Sequence, residues 1–130
     1  MKRTFVISRF LLVVSLFALT IFCFSLQISY ADAPQDVEIK YDSLTQTLTV
    51  TITHKSSFTG FHHIKTVEIK KNSSVVSTTN YDTQPKEVPF IYTYKVEASP
   101  NDKLEVTVTC NLSGSKTAAI TVSPAADAAK

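Results

Sequence analysis

The feature that most constrains the fold of this chain is a regular alternation of apolar and polar residues between Val37 and Val122. From residue 48 to 52 every second residue is apolar and threonines fill the positions between, and residues 104–110 show the same alternation. A period of two residues is typical of a β-strand that buries one face. No segment in this region keeps the helical period of 3.6 residues. The alternation predicts seven short strands, at residues 37–41, 47–53, 64–70, 75–79, 90–96, 104–110 and 117–122.

Seven short strands separated by turn residues, with no helix between them, predict an all-β domain. The expected fold is a seven-stranded immunoglobulin-like sandwich. We expect the domain to span residues 32–124, a length that suits one domain with one hydrophobic core. The small and polar residues 125–130 are expected to form a flexible tail.

The residues ahead of this domain have the order of a secretory signal. Three basic residues within the first nine positions precede an apolar run from Phe10 to Leu26, and polar and small residues follow up to Ala31. This order predicts a signal peptide over residues 1–31, cleaved after Ala31. The protein is therefore expected to be exported, to a bacterial periplasm or to the outside. The alternative is an uncleaved N-terminal anchor, and the mature domain itself is not expected to insert into a membrane.

The charge and the composition of the chain argue against some classes of binding partner. Residues 32–130 carry ten basic and eleven acidic side chains, so the formal net charge of the exported part is −1. No basic patch with interleaved aromatic residues is present, which argues against a nucleic acid as partner. With two glycines in the whole chain, a glycine-rich loop that holds phosphate is excluded as well.

Cysteine and histidine residues fall at the ends of predicted strands. Cys110 is the one cysteine outside the leader, and it continues the inward-facing series of residues 104, 106 and 108. His54 continues the inward-facing series of residues 48, 50 and 52 in the same way. His62 and His63 stand just before the third strand, and a bulge there would exchange their faces, so the alternation does not choose between them. Because strand ends gather at the rims of a sandwich, these side chains are candidates to meet.

Imidazole and thiolate groups are ligands for zinc, copper or iron. Coordination would also explain how an unpaired cysteine persists in an oxidising compartment. The alternative interpretation is structural: Cys110 would act as a small buried hydrophobe and His54 as a half-buried, hydrogen-bonded side chain.

Three segments of the chain resemble a known family. Residues 62–69, His-His-Ile-Lys-Thr-Val-Glu-Ile, resemble the His-Tyr-Ile-Glu-Trp-Ile-Glu-Leu run of superoxide reductases, the ferrous-iron domain shared with desulfoferrodoxin and neelaredoxin. Residues 110–114, Cys-Asn-Leu-Ser-Gly, resemble the family's Cys-Asn-Leu-His-Gly signature, and residues 50–54 resemble its strand that ends in an earlier histidine ligand. The resemblance implies that His54 and His62 are equatorial ligands of iron and that Cys110 is the axial thiolate.

The chain departs from the family at two ligands. The family centre has four histidines and one cysteine, whereas here Ser113 stands where a histidine is expected after the cysteine. No histidine precedes His54, so the family's Glu-Lys-His loop is absent, together with the lysine thought to attract superoxide. Three of the five family ligands are therefore present.

The resemblance implies an exported iron protein, cycling between Fe2+ and Fe3+, that reduces superoxide to hydrogen peroxide. Its partners would be superoxide and a small electron-donor protein, and a homo-oligomer is one way to supply further ligands. No catalytic acid and no organic cofactor can be assigned from the sequence. Two other functions stay open: a non-catalytic periplasmic carrier of copper or zinc, and an immunoglobulin-like binding module that has lost its metal site.

Overall fold

The computed structural model describes residues 2–25 and 33–124, which belong to two separate compact units. The first unit contains one α-helix, α1 (Lys2–Ser25), which covers most of the predicted leader. No helix among the described residues has both the length and the hydropathy that a membrane crossing requires. The predicted cleavage position after Ala31 and the predicted tail 125–130 lie outside the described residues.

The second unit is all-β, and the structure confirms the seven predicted strands to within two residues at each end. The strands are β1 (Asp36–Asp42), β2 (Thr47–Thr53), β3 (Ile64–Lys71), β4 (Ser74–Asn80), β5 (Phe90–Lys95), β6 (Lys103–Cys110) and β7 (Ser115–Thr121).

The strands form two antiparallel sheets that pack as a sandwich, as the sequence predicted. One sheet has three strands in the order β1-β2-β5, and the other has four in the order β4-β3-β6-β7. Apolar side chains from both sheets share one buried cluster between them. Within β2 the alternation decides which side chains enter this cluster: Leu48, Val50 and Ile52 have no exposed surface. Burying an aliphatic side chain of this size stabilises the fold by about 1.5–3 kcal/mol.

The candidate ligands lie at one rim of the sandwich because of the strand directions. β3 and β6 are antiparallel, and Ile64 at the start of β3 is paired with Cys110 at the end of β6. The register between these two strands shifts between Ile64 and Thr66, which marks a β-bulge. In the other sheet, the end of β2 is paired with the start of β5. This rim therefore gathers strand ends from both sheets.

Candidate metal centre

His54 follows the last residue of β2 and keeps the inward direction of that strand. Its side chain is fully buried, so the phase predicted from the sequence is confirmed. The backbone has left the strand at this point. A buried imidazole needs partners for its nitrogen atoms, and one of them is supplied by a residue that the sequence did not single out.

That residue is Gln84, in the loop between β4 and β5, with 5% of its surface exposed. The Oε1 atom of Gln84 lies 2.6 Å from the Nδ1 atom of His54 and accepts a hydrogen bond of 3.0 Å from the backbone N–H of Ile64. The Nε2 atom of Gln84 donates to the backbone carbonyl of His54 at 2.7 Å. A buried amide in an aperiodic loop leaves no pattern in the sequence, which is why sequence reasoning missed it.

Cys110 is the last residue of β6 and 4% exposed, and it is a free cysteine whose Sγ atom lies 3.8 Å from the Oδ1 atom of Asn111. Its backbone N–H donates to the carbonyl of Gly114 at 3.0 Å, which closes the turn into β7. The inward phase predicted for this cysteine is therefore confirmed.

His62 and His63 lie at the end of the loop that joins β2 to β3. A turn shapes this loop, since the N–H groups of Phe61 and His62 both donate to the carbonyl of Phe58, at 2.9 and 2.8 Å. Asn111 fastens the loop to the end of β6: its Oδ1 atom accepts from the N–H of His63 at 2.9 Å, and its Nδ2 atom donates to the carbonyl of Phe61 at 2.7 Å. The asparagine of the Cys-Asn pair thus holds the histidine loop beside the cysteine.

The structure brings His54, His62 and Cys110 together. Their ligand atoms all lie within 4.8 Å of one another, and the two imidazole rings are 4.6 Å apart at an angle of 75°. Atoms bound to one ion at 2.0–2.3 Å are at most about 4.6 Å apart, so small side-chain rotations would let all three reach a common ion. His63 is not part of this group, although it is nearly buried and its Nδ1 atom has no hydrogen-bond partner.

The donor set fits a metal ion of borderline softness. The Nε2 atom of His62 is buried and has no hydrogen-bond partner, and a buried polar atom without a partner costs about 1–3 kcal/mol. A metal ion would remove this cost, because the lone pair of the imidazole would then be bound. Within residues 33–124 no fourth histidine, cysteine or carboxylate joins the group.

A cavity of about 530 Å³ opens beside His62. Two exposed lysines, Lys55 and Lys86, line it together with the hydroxyl groups of residues 56 and 57 and the side chains of Phe58 and Val88. Sequence reasoning did not connect these two lysines, since they lie in different loops. The cavity next to the candidate ligands is therefore lined by two cationic side chains and, among the described residues, by no acidic one.

Comparison with solved structures finds proteins of similar fold. The chain is similar to the superoxide reductase (1Fe-SOR) from Giardia intestinalis, with a TM-score of 0.50 and 14% sequence identity over 70% of this chain and 100% of that chain. The fold is superoxide reductase-like. A superoxide reductase from Nanoarchaeum equitans also matches, with a TM-score of 0.40 and 17% identity over 69% of this chain and 91% of that chain. No protein-family model and no curated protein matches the sequence.

Proposed function

We propose that this chain is an exported, superoxide reductase-like protein that holds one iron ion through His54, His62 and Cys110. One observation carries the proposal: donor atoms from three distant points of the chain lie within 4.8 Å of one another. These residues are a set that iron, copper and zinc accept. The similarity of the fold to a superoxide reductase supports iron over the other two metals.

The proposed reaction is the one-electron reduction of superoxide. Bound ferrous iron would supply the electron, and superoxide would take up two protons and leave as hydrogen peroxide. Lys55 and Lys86 would raise the local concentration of the anion at the cavity beside His62, because clustered positive charge speeds the arrival of an anionic substrate. They take the place of the lysine whose loop this chain lacks.

The reaction requires a source of electrons, and we propose that this is a small electron-donor protein. Phe58 and Phe61 are 74% and 72% exposed, and both belong to the turn that leads into His62. Exposed aromatic side chains next to a buried centre are typical of a protein contact surface. A donor that docks there would approach the centre through the imidazole of His62.

A second candidate function is a carrier of copper or zinc. It is favoured by the number of donors, since two imidazoles and one thiolate suit a three- or four-coordinate ion. Ser113 replaces the histidine expected after Cys110, and the group contains no further protein ligand within residues 33–124. A carrier would bind metal at this centre without turning over superoxide.

The test of the proposed function begins with the metal. The full chain, purified without oxygen, is expected to contain about one equivalent of iron, and oxidation should produce a thiolate-to-ferric charge-transfer band. Cys110→Ser should lose both the iron and the band while keeping its far-UV circular dichroism. One equivalent of copper or zinc in place of iron would favour the carrier. A folded wild-type protein that takes up none of the three metals would contradict both candidates.

The activity is tested by following superoxide consumption with a chemical reductant present. The wild-type rate should exceed that of His54→Ala, and Lys86→Met should be slower than wild type with a weaker dependence on salt. Lys65→Met is the matched control, because Lys65 is exposed and lies outside the cavity. A wild-type rate no faster than that of His54→Ala would reject the enzymatic proposal.

A further inference from the structure

Gln84 connects the two segments that carry the histidines of the candidate centre. Its side chain bonds to the ring and to the carbonyl of His54, after β2, and to the backbone N–H of Ile64, at the start of β3. Ile64 is two residues beyond His62 in the chain. All three bonds lie in the buried interior, where His54 and Ile64 have no exposed surface.

Two backbone groups fix the orientation of the Gln84 amide. The N–H of Ile64 can only donate a hydrogen bond, so the atom opposite it has to be the amide oxygen. The carbonyl of His54 can only accept, so the atom opposite it has to be the amide nitrogen. A side-chain amide next to ambiguous partners can be turned by 180°, but at this position the reversed amide would lose both backbone bonds.

The fixed amide determines where the proton of His54 lies. The Oε1 atom of Gln84 has no hydrogen to give, so the Nδ1 atom of His54, 2.6 Å away, has to be the donor. A neutral imidazole carries one N–H, and the Nε2 atom therefore keeps its lone pair. We infer that Gln84 is a positioning residue that selects the Nδ1–H tautomer of His54 and so presents Nε2 as the metal-binding atom. The part of this inference that concerns metal rests on the proposed function.

Gln84 also sets the spacing between the two imidazoles. One oxygen atom holds the ring of His54 at 2.6 Å and the start of β3 at 3.0 Å, so the segment of His62 cannot shift without losing a buried bond. Outer partners of this kind orient a metal ligand and increase its basicity, and their loss typically weakens metal binding about 10–100-fold. The loop between β4 and β5 thus contributes to the centre without supplying a ligand.

The first experiment measures the tautomer in the metal-free, full-length protein. Nitrogen-15 NMR of the imidazole at mildly alkaline pH should show His54 protonated at Nδ1. Gln84→Met removes the acceptor and should move His54 toward the Nε2–H form. Gln84→Glu keeps an acceptor oxygen, and it should retain the Nδ1–H form. Gln35→Met is the matched control, because Gln35 is exposed, and it should leave the tautomer unchanged.

The second experiment measures zinc affinity by competition with a chelator. Gln84→Met should bind zinc about 10–100-fold more weakly than wild type, whereas Gln84→Glu and Gln35→Met should stay within a few-fold of it. If Gln84→Met does not fold, the tautomer of His54 in the wild type and in Gln84→Glu still tests the inference.

A wild-type His54 protonated at Nε2 would overturn the inference, and so would a tautomer that does not change in folded Gln84→Met. Unchanged zinc affinity in folded Gln84→Met would overturn the positioning role. A wild-type protein that binds no metal but shows the Nδ1–H tautomer would support the tautomer assignment and reject the proposed function. The two claims can therefore fail separately.

Discussion

Gly114 is the residue at which the backbone around the candidate centre has no room for a side chain. Its φ angle is 76°, in the left-handed region, and a Cβ atom built there would lie 2.6 Å from the Cβ atom of Ala33. Its carbonyl accepts the N–H of Cys110. The glycine therefore lets the turn after β6 close against the segment before β1 while it holds the cysteine.

We predict that Gly114→Ala destabilises the protein by about 2 kcal/mol or more, because a non-glycine residue in this region costs about 1–3 kcal/mol and the new methyl group also collides with Ala33. Urea denaturation measures this change. Gly60→Ala is the matched control, since a Cβ atom at Gly60 meets no atom within 4 Å, and we expect it to shift stability by less than about 0.5 kcal/mol. Equal losses for the two variants would contradict this account.

Single residues also show how far the sequence could predict the site. The inward positions of His54 and Cys110 followed from the alternation of β2 and β6, since each continues a strictly periodic series. The alternation did not choose between His62 and His63, because the turn at Phe58 and the bulge after Ile64 interrupt the period on both sides of the pair. The choice of His62 came from the family resemblance alone. Only the folded loop brings His62 to the other two donors.

At the scale of the elements, aromatic rings join the edges of the two sheets on the side of β4 and β5. Tyr81, which follows β4, stacks on Tyr92 of β5 at 4.4 Å with an interplanar angle of 4°. The hydroxyl groups of Tyr81 and Tyr94 are 2.7 Å apart, and Phe90 packs edge-on against Tyr92 at 5.4 Å. β4 and β5 belong to different sheets, so these contacts hold the sandwich together where no backbone hydrogen bonds cross.

These tyrosine contacts predict that the protein loses stability at alkaline pH. Burial, and secondarily the hydrogen bond with Tyr81, raises the pKa of the Tyr94 phenol above its usual value of about 10. A folded-state pKa above the unfolded one means that the stabilisation is complete below about pH 10 and is lost as the pH rises through the range above it. We expect wild type to lose stability above about pH 10 more steeply than Tyr94→Phe.

At neutral pH the same variant should be less stable than wild type by about 1 kcal/mol, the usual net value of one lost hydrogen bond. Urea denaturation at neutral pH and at a series of alkaline pH values measures both effects. Identical alkaline slopes for wild type and Tyr94→Phe would show that folding does not raise the pKa of the Tyr94 phenol, contrary to this account.

The elements differ in how well the sequence predicted them. Two of the central strands, β2 and β6, alternate strictly, and their burial follows the alternation. β4 is an edge strand, and its two apolar residues, Val75 and Val76, are both more than 45% exposed. A strand paired on one side only has fewer neighbours to bury its side chains, so its composition predicted a strand but not a buried face. The loop of Gln84 has no period at all, and its role at the centre could not be predicted.

At the scale of the whole molecule, the candidate centre exists only because the sandwich folds. His54 follows β2 of the three-stranded sheet, whereas His62 precedes β3 and Cys110 ends β6 in the four-stranded sheet. A metal ion bound by all three would link the two sheets at one rim. The sequence predicted both the all-β sandwich and the three donors, and the proximity of the donors depends on loop contacts made by Gln84 and Asn111.

The most direct test of whether His54, His62 and Cys110 bind a common ion is X-ray absorption at the zinc edge of the zinc-loaded, full-length protein. We expect one sulfur scatterer at about 2.3 Å and two imidazole nitrogens at about 2.0–2.1 Å. His63→Ala should leave the spectrum unchanged, whereas His62→Ala should lose one imidazole and Cys110→Ser should lose the sulfur. A wild-type spectrum without sulfur, or one that His62→Ala leaves unchanged, would show that these three side chains do not bind a common ion.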